Sequence, residues 1–273
     1  MSNAMGIAET GRCVTEVPKN KSSLLSVMRR YVELCDVDKS ESVLVVGGGQ
    51  EDTEILSACG FENIVLSNLD GSGLALDAEN IDLPDDSFPV VFAHAVLHHC
   101  RSPQKAVGEM ARVCQKHVFF VEPNDSWALR MLVRLRFSFP YELAAVAANG
   151  YTSGGVRNGP IPNFIYRWTA NEVTKSISSY HPERQFKVRA HPYWDFYVND
   201  RELLARNESR VAALAKNLGP GNLVSLLQLS QIFLNLLPLS RSQGNKFFCA
   251  ISKRELQPWI DTRNGSYQLK KQD

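Results

Sequence analysis

The chain has 273 residues, 44% of them hydrophobic, enough to bury a full core, and this length fits one large domain with insertions better than two independent ones. With 30 Lys and Arg against 29 Asp and Glu the formal net charge is +1, and no basic block is long enough to track a phosphate backbone, which argues against a nucleic-acid substrate. Six cysteines, Cys13, Cys35, Cys59, Cys100, Cys114 and Cys249, lie without C-x-x-C spacing and read as reduced thiols of a cytoplasmic enzyme, with no metal site expected.

Met1 to Ala4 read as a cloning scar before a native start at Met5, and nothing after them has the blocks of a secretory signal. Residues 5–255 read as a single domain and 256–273 as a C-terminal tail. Leu24, Leu25, Met28, Tyr31, Val32 and Cys35 recur at helical spacing and predict a helix over 22–36. The apolar run Val43 to Val46 then breaks into Gly47, Gly48 and Gly49, followed by Gln50, Glu51 and Asp52: a buried strand, a tight turn and a helix start. Without a Cβ at Gly47 and Gly49 a ligand can lie against the main chain, as in nucleoside-binding turns. A helix from Asp52 to Cys59 stops at Gly60. A second strand follows over 63–70, ending at Asp70, whose carboxylate suits ribose hydroxyls. Few residues separate Asp70 from Leu74, so no helix is expected there. A fourth strand within Asp85 to His99, ending before His98, a helix over 103–113 and a strand over 117–121 complete an alternation that requires a parallel sheet. Its ligand crevice lies at the strand C-terminal ends.

Asp77-Ala78-Glu79-Asn80-Ile81-Asp82-Leu83-Pro84, then Asp85-Asp86-Ser87-Phe88, then Leu97-His98-His99, follow the glycine turn in a spaced series. Over roughly residues 42–124 this series resembles the class I S-adenosylmethionine-dependent methyltransferases, in particular their small-molecule, type 11-like branch. The resemblance implies an α/β Rossmann-like three-layer sandwich, with a mostly parallel seven-stranded sheet whose last strand is antiparallel, and S-adenosylmethionine as cofactor. It also implies that Val46, Gly47, Gly48 and Gly49 hold the methionine part, Asp70 the ribose, and Asp77 with Ala78 the adenine, with His94 a cofactor neighbour. Val45, Glu51 and Pro89 stand where the family usually has an acid, a glycine and an aspartate. These departures keep open a catalytically silent protein that binds the cofactor on the same fold. An NAD(P)-dependent oxidoreductase ranks third, because Glu51, Asp52 and Glu54 at the helix start would repel a pyrophosphate.

Methyl transfer from a sulfonium is a direct displacement needing alignment, water exclusion and at most a base. A small-molecule acceptor methylated on oxygen is the favoured reading. His98 and His99 follow the fourth strand, and a neutral imidazole takes a proton near pH 7, though packing at a helix start explains the pair as well. Glu122 at the end of the fifth strand is a second base candidate. Arg130 and Arg134, one helical turn apart, suit an acceptor carboxylate or phosphate, or else a solvated helix face. The loop over 149–168, rich in Gly, Pro and aromatics, reads as an acceptor wall, with Tyr166 and Trp168 suited to cation–π contact with the sulfonium or to ordinary packing. Thr169 and Glu172 form a capping box opening a helix to Tyr180. Thus 42–124 reads as the cofactor-binding half, 125–198 as the acceptor side, 199–244 as a helical insertion and 245–253 as the closing strand, with 186–190 the strand before it. The stretch 217–240 is uncharged, but Ser225, Gln228, Gln231 and Asn235 at helical spacing argue against a membrane span. A helix over 223–237 packed on the domain is expected, with a lid, a homodimer contact and a membrane-surface contact as alternatives.

Overall fold

The computed structural model describes residues 22–196, 210–263 and 266–270. The expected start at Met5 and the first residues of the 199–244 insertion lie outside them. β1 (Val43–Val46) is wholly apolar and no residue in it is more than 2% exposed, the pattern of a parallel strand covered on both faces. It pairs in parallel with β2 (Ile64–Asn68) and β4 (Phe88–His94). β3 (Leu74–Ala75) extends the sheet beyond β2, and β5 (Cys114–Pro123) extends it beyond β4. β7 (Lys246–Leu256) lies antiparallel between β5 and β6 (Arg184–Tyr193), giving the order β3-β2-β1-β4-β5-β7-β6. This is the mostly parallel seven-stranded sheet with an antiparallel last strand that the resemblance implied. Only a turn joins β2 to β3.

Side chains alternate across the sheet and build a core on each face. Leu44, Val46, Val91 and Phe120 pack with Met110 of α3 (Pro103–Val113) and Val173 of α6 (Ala170–Tyr180). Val43, Val45, Phe92 and Phe119 pack with Met28 of α1 (Ser22–Leu34) and Leu56 of α2 (Gln50–Ala58). Three layers result. α6 opens on the expected capping box: Thr169 Oγ1 accepts from the Glu172 N–H at 3.2 Å while the Glu172 carboxylate accepts from the Thr169 N–H at 2.9 Å. Two shorter helices, α4 (Trp127–Arg134) and α5 (Leu143–Ala148), lie between β5 and α6. After β1 the sheet grows outward through β2 and β3, and after β4 it grows the other way. The C-terminal ends of β1 and β4 therefore diverge around a crevice.

The described part of the insertion is helical: α7 (Arg210–Leu218), α8 (Pro220–Leu236) and α9 (Pro238–Ser242). α8 starts earlier than expected because Pro220 fits the first turn, where its missing N–H costs nothing. Its polar side faces inward. Asn235 pairs with both the N–H and C=O of Trp194, each at 2.8 Å, and Gln231 Oε1 accepts from the Phe196 N–H at 2.6 Å. These backbone groups follow β6, where among the described residues no strand pairs with them, so side-chain amides satisfy them. Leu229, Phe233 and Leu236, at 56%, 61% and 70% exposure, face outward. Among the described residues no helix is long and apolar enough to cross a membrane. The tail beyond 256 holds an antiparallel pair, β8 (Ile260–Arg263) and β9 (Ser266–Leu269).

Candidate functional site

A cavity of about 380 Å³ opens at the C-terminal ends of β1 to β4. Val46 and Gly47 end β1, and Ala95 and Val96 follow β4; all four line it. Gly47 has φ +66°, and a Cβ there would meet Val96 Cγ2 at 2.2 Å, so both the backbone angle and the close approach of the β4 loop require glycine. Asp70, Asp77 and Ala78 line the same cavity. Asp70 Oδ1 accepts from the Ser72 hydroxyl at 2.6 Å and the Ser72 N–H at 2.9 Å, bonds that hold its carboxyl below the usual carboxylate range. Asp77 Oδ2 takes Arg157 Nη1 at 2.8 Å, so the loop carrying Arg157 reaches over that end.

Three residues expected at the cofactor do not line the cavity. A Cβ at Gly48 would meet Val45 Cγ1 at 2.2 Å, so this glycine serves packing of the turn on β1. Gly49 caps α2 and gives its N–H to Asp52 Oδ2 at 2.9 Å. The His94 ring is held by Asp52 Oδ1 at 3.0 Å. On the expected acceptor side, Arg130 forms a two-pronged pair with Asp125 at 2.9 and 2.6 Å, Arg134 is exposed, and neither lines the cavity. Trp168 is fully buried against Phe120, and its backbone pairs with β5 beyond Pro123. The Tyr166 hydroxyl accepts from Gln104 Nε2 at 2.7 Å. Packing of 164–168 onto the core takes both aromatics off the cavity lining.

His98 and His99 occupy a single 3₁₀ turn after β4. His99 lines the cavity, and its Nδ1 faces the Gly155 carbonyl at 3.3 Å. His98 is buried, its Nδ1 at 2.5 Å from Glu122 Oε2 and its Nε2 at 3.2 Å from Glu142 Oε2. The other Glu122 oxygen accepts the Leu97 N–H at 2.7 Å, which fixes the turn on β5. Burial alone would lower the His98 pKa, but the carboxylates of Glu122 and Glu142 outweigh it and raise it to about 9. Burial, aided by the charge of His98, lowers that of His99. Burial would raise the Glu142 pKa, yet the two imidazoles bring it down to about 2.

Glu142, Asn163 and Arg157 were not singled out in the sequence. Glu142 precedes α5 and is fixed by backbone pairing, its N–H donating to the Asn163 carbonyl at 3.0 Å. Arg157 is one of two cations, with Arg167, in an otherwise uncharged loop over 149–168, the one local signal available. Gly154, Asn158 and Ala145 complete that wall of the cavity.

Residues 26–121 match the family model described as a methyltransferase domain. No curated protein matches the chain. Among solved structures, an S-adenosylmethionine-dependent methyltransferase of Methanosarcina mazei is 11% identical, covering 85% of this chain and 98% of that one with a TM-score of 0.46. Another from Archaeoglobus fulgidus is 13% identical, over 86% and 94% of the two chains, with a TM-score of 0.43. The matched segment runs from α1 into β5 and carries all four strand ends around the cavity. Over residues 26–121 the chain is thus similar to a methyltransferase domain, and the match agrees with the expected S-adenosylmethionine cofactor.

Proposed function

We propose that this protein is an S-adenosylmethionine-dependent methyltransferase that methylates a hydroxyl of a small molecule held beside His99 in the cavity. The observation that carries the reading is that Gly47, Asp70 and Asp77 line one continuous cavity with His99, Ala145 and Asn158. S-adenosylmethionine supplies a methyl group already activated on a sulfonium, so the residues here need only align the acceptor, exclude water and handle its proton. Val46 and Gly47 offer a main-chain edge to the methionine part. Asp70, kept ionised by Ser72, accepts from the ribose hydroxyls, and Asp77 with Ala78 takes the adenine under the cover of Arg157. His99 is the member of the imidazole–carboxylate cluster on the cavity wall, so it meets the acceptor hydroxyl, and His98 with Glu122 positions it from behind.

Arg130 and Arg134 stay outside this reading, since Asp125 holds the first and neither faces the cavity. A dinucleotide fits worse, because Asp52 takes the Gly49 N–H that a pyrophosphate would need at the α2 start. The five described cysteines are free thiols, which supports a reducing, cytoplasmic setting. The test is transfer of a labelled methyl group across a panel of hydroxylated and amine-bearing small molecules. Turnover on hydroxyls that falls in His99→Ala supports the proposal; transfer to amines alone overturns it.

A further inference from the structure

The cluster behind the acceptor end has an arrangement that proton handling alone does not require. Each histidine has its Nδ1 against an oxygen acceptor, Glu122 Oε2 at 2.5 Å for His98 and the Gly155 carbonyl at 3.3 Å for His99. An acceptor in that position holds the ring proton on Nδ1 and leaves Nε2 as the ligating atom, the usual orientation of imidazoles that bind metals. Both Nε2 atoms approach one oxygen, Glu142 Oε2, at 3.2 Å from His98 and 3.6 Å from His99. The three ligand atoms all lie within 4.8 Å of one another. A tetrahedral ion with bonds of about 2.1 Å spaces its ligands by about 3.4 Å. The two imidazole–carboxylate distances bracket that spacing.

A plain ion pair accounts for His98 between its carboxylates, but not for a second imidazole aimed at the same Glu142 oxygen. Nor does it account for Asn163. This side chain is 1% exposed and donates from Nδ2 to Glu142 Oε2 at 3.2 Å, while its own Oδ1 is buried with no hydrogen-bond partner among the described residues. A buried acceptor left unmatched beside a converging ligand set is an independent sign of a further component.

We propose that His98 Nε2, His99 Nε2 and Glu142 Oε2 bind one divalent transition-metal ion of the Zn²⁺ class, with Glu122, the Gly155 carbonyl and Asn163 orienting the ligands. Two imidazole nitrogens and one carboxylate suit Zn²⁺ and its neighbours, whereas Mg²⁺ and Ca²⁺ prefer all-oxygen sets. The ion takes the place of the proton between His98 Nε2 and Glu142. Three protein ligands leave a coordination position, and with His99 on the cavity wall an acceptor oxygen is the group in reach of it. With the ion bound, neither His99 nitrogen is free for a proton, so the ion would activate the acceptor oxygen in its place; ion binding goes beyond the proposed methylation and is measurable without it.

The test uses the full chain without an affinity tag, stripped with chelator and titrated with ZnCl₂ by calorimetry, with metal content read after gel filtration. One Zn²⁺ per chain is expected, with no comparable uptake of Mg²⁺. Glu142→Ala and His99→Ala should each weaken Zn²⁺ binding by about tenfold or more while S-adenosylhomocysteine affinity, measured on the same samples, is kept. Glu122→Gln, which keeps an oxygen for the Leu97 N–H, should weaken Zn²⁺ by about 10- to 100-fold and serves if either other variant fails to fold. His181→Ala, at a histidine facing Glu183, should change nothing. No Zn²⁺ in the wild-type chain, one Zn²⁺ that survives the Glu142 and His99 substitutions, or a preference for Mg²⁺ overturns the site. Loss of S-adenosylhomocysteine binding with Zn²⁺ binding intact would instead strike the cofactor assignment.

Discussion

The two parts of the proposed site are built by different means. Where we propose the adenosyl group, Gly47, Asp70, Asp77 and Val96 sit within a few residues of strand ends, and hydrogen-bonded neighbours set the strand register, Val46 facing Ser67 on one side and Ala93 on the other. Where we propose the acceptor, His99 comes from a 3₁₀ turn, Glu142 from the start of a short helix and Asn163 from a long loop. That part is joined by single links such as the Tyr141–Phe164 bridge and the Glu142–Asn163 backbone bond. The sheet gives a fixed reader for a cofactor common to many enzymes, while loops shape the acceptor pocket and are free to differ between them.

Substitutions that separate chemistry, fold and cover sharpen this contrast. The largest effect is expected from His99→Ala, which should lower kcat by about 10²- to 10⁴-fold with S-adenosylhomocysteine affinity unchanged, as for loss of a proton-transfer group; an unchanged kcat would remove His99 from the acceptor end. Gly47→Ala should destabilise the fold by about 3 kcal/mol in denaturant titration, because it combines a left-handed backbone with the Val96 clash, and should also weaken cofactor binding. A stable variant that binds normally would show that the turn is not the rigid element described. Thr169→Ala removes the capping hydroxyl of α6 and should cost about 1 kcal/mol with no effect on cofactor affinity. Arg157→Ala should leave stability nearly unchanged, since the Arg157 side chain is solvent-accessible, yet weaken S-adenosylhomocysteine binding by loss of the cover over Asp77; a large loss of stability would mean that the loop is part of the core framework.

Legibility follows the same division. The strand–helix alternation, the Gly47 turn and the Thr169–Glu172 box depend on residues close in sequence, and the sequence reading located each of them. Within the glycine run, however, only Gly47 reaches the cavity, because the backbone turns there and Gly48 is pressed on Val45. Trp168, expected on a wall, is drawn into the core by the backbone pairing of its segment with β5. Glu142 joins the histidines only through the pairing of 140–142 with 163–165, a tertiary fact that no local pattern carries. In α8 the helical spacing reveals a polar and an apolar face but not which one turns inward; the unpaired amides of Trp194 and Phe196 decide that.

The account rests on Asp77 and Gly47 serving one adenosyl group at the strand ends. Calorimetric titration of the full chain with S-adenosylhomocysteine, in wild type, Asp77→Ala and Arg130→Ala, tests this directly. Saturable binding that weakens about tenfold or more in Asp77→Ala, as for loss of a charge-assisted hydrogen bond, and stays unchanged in Arg130→Ala is the predicted result. Absence of binding in the wild type, or equal affinity in Asp77→Ala, would contradict it.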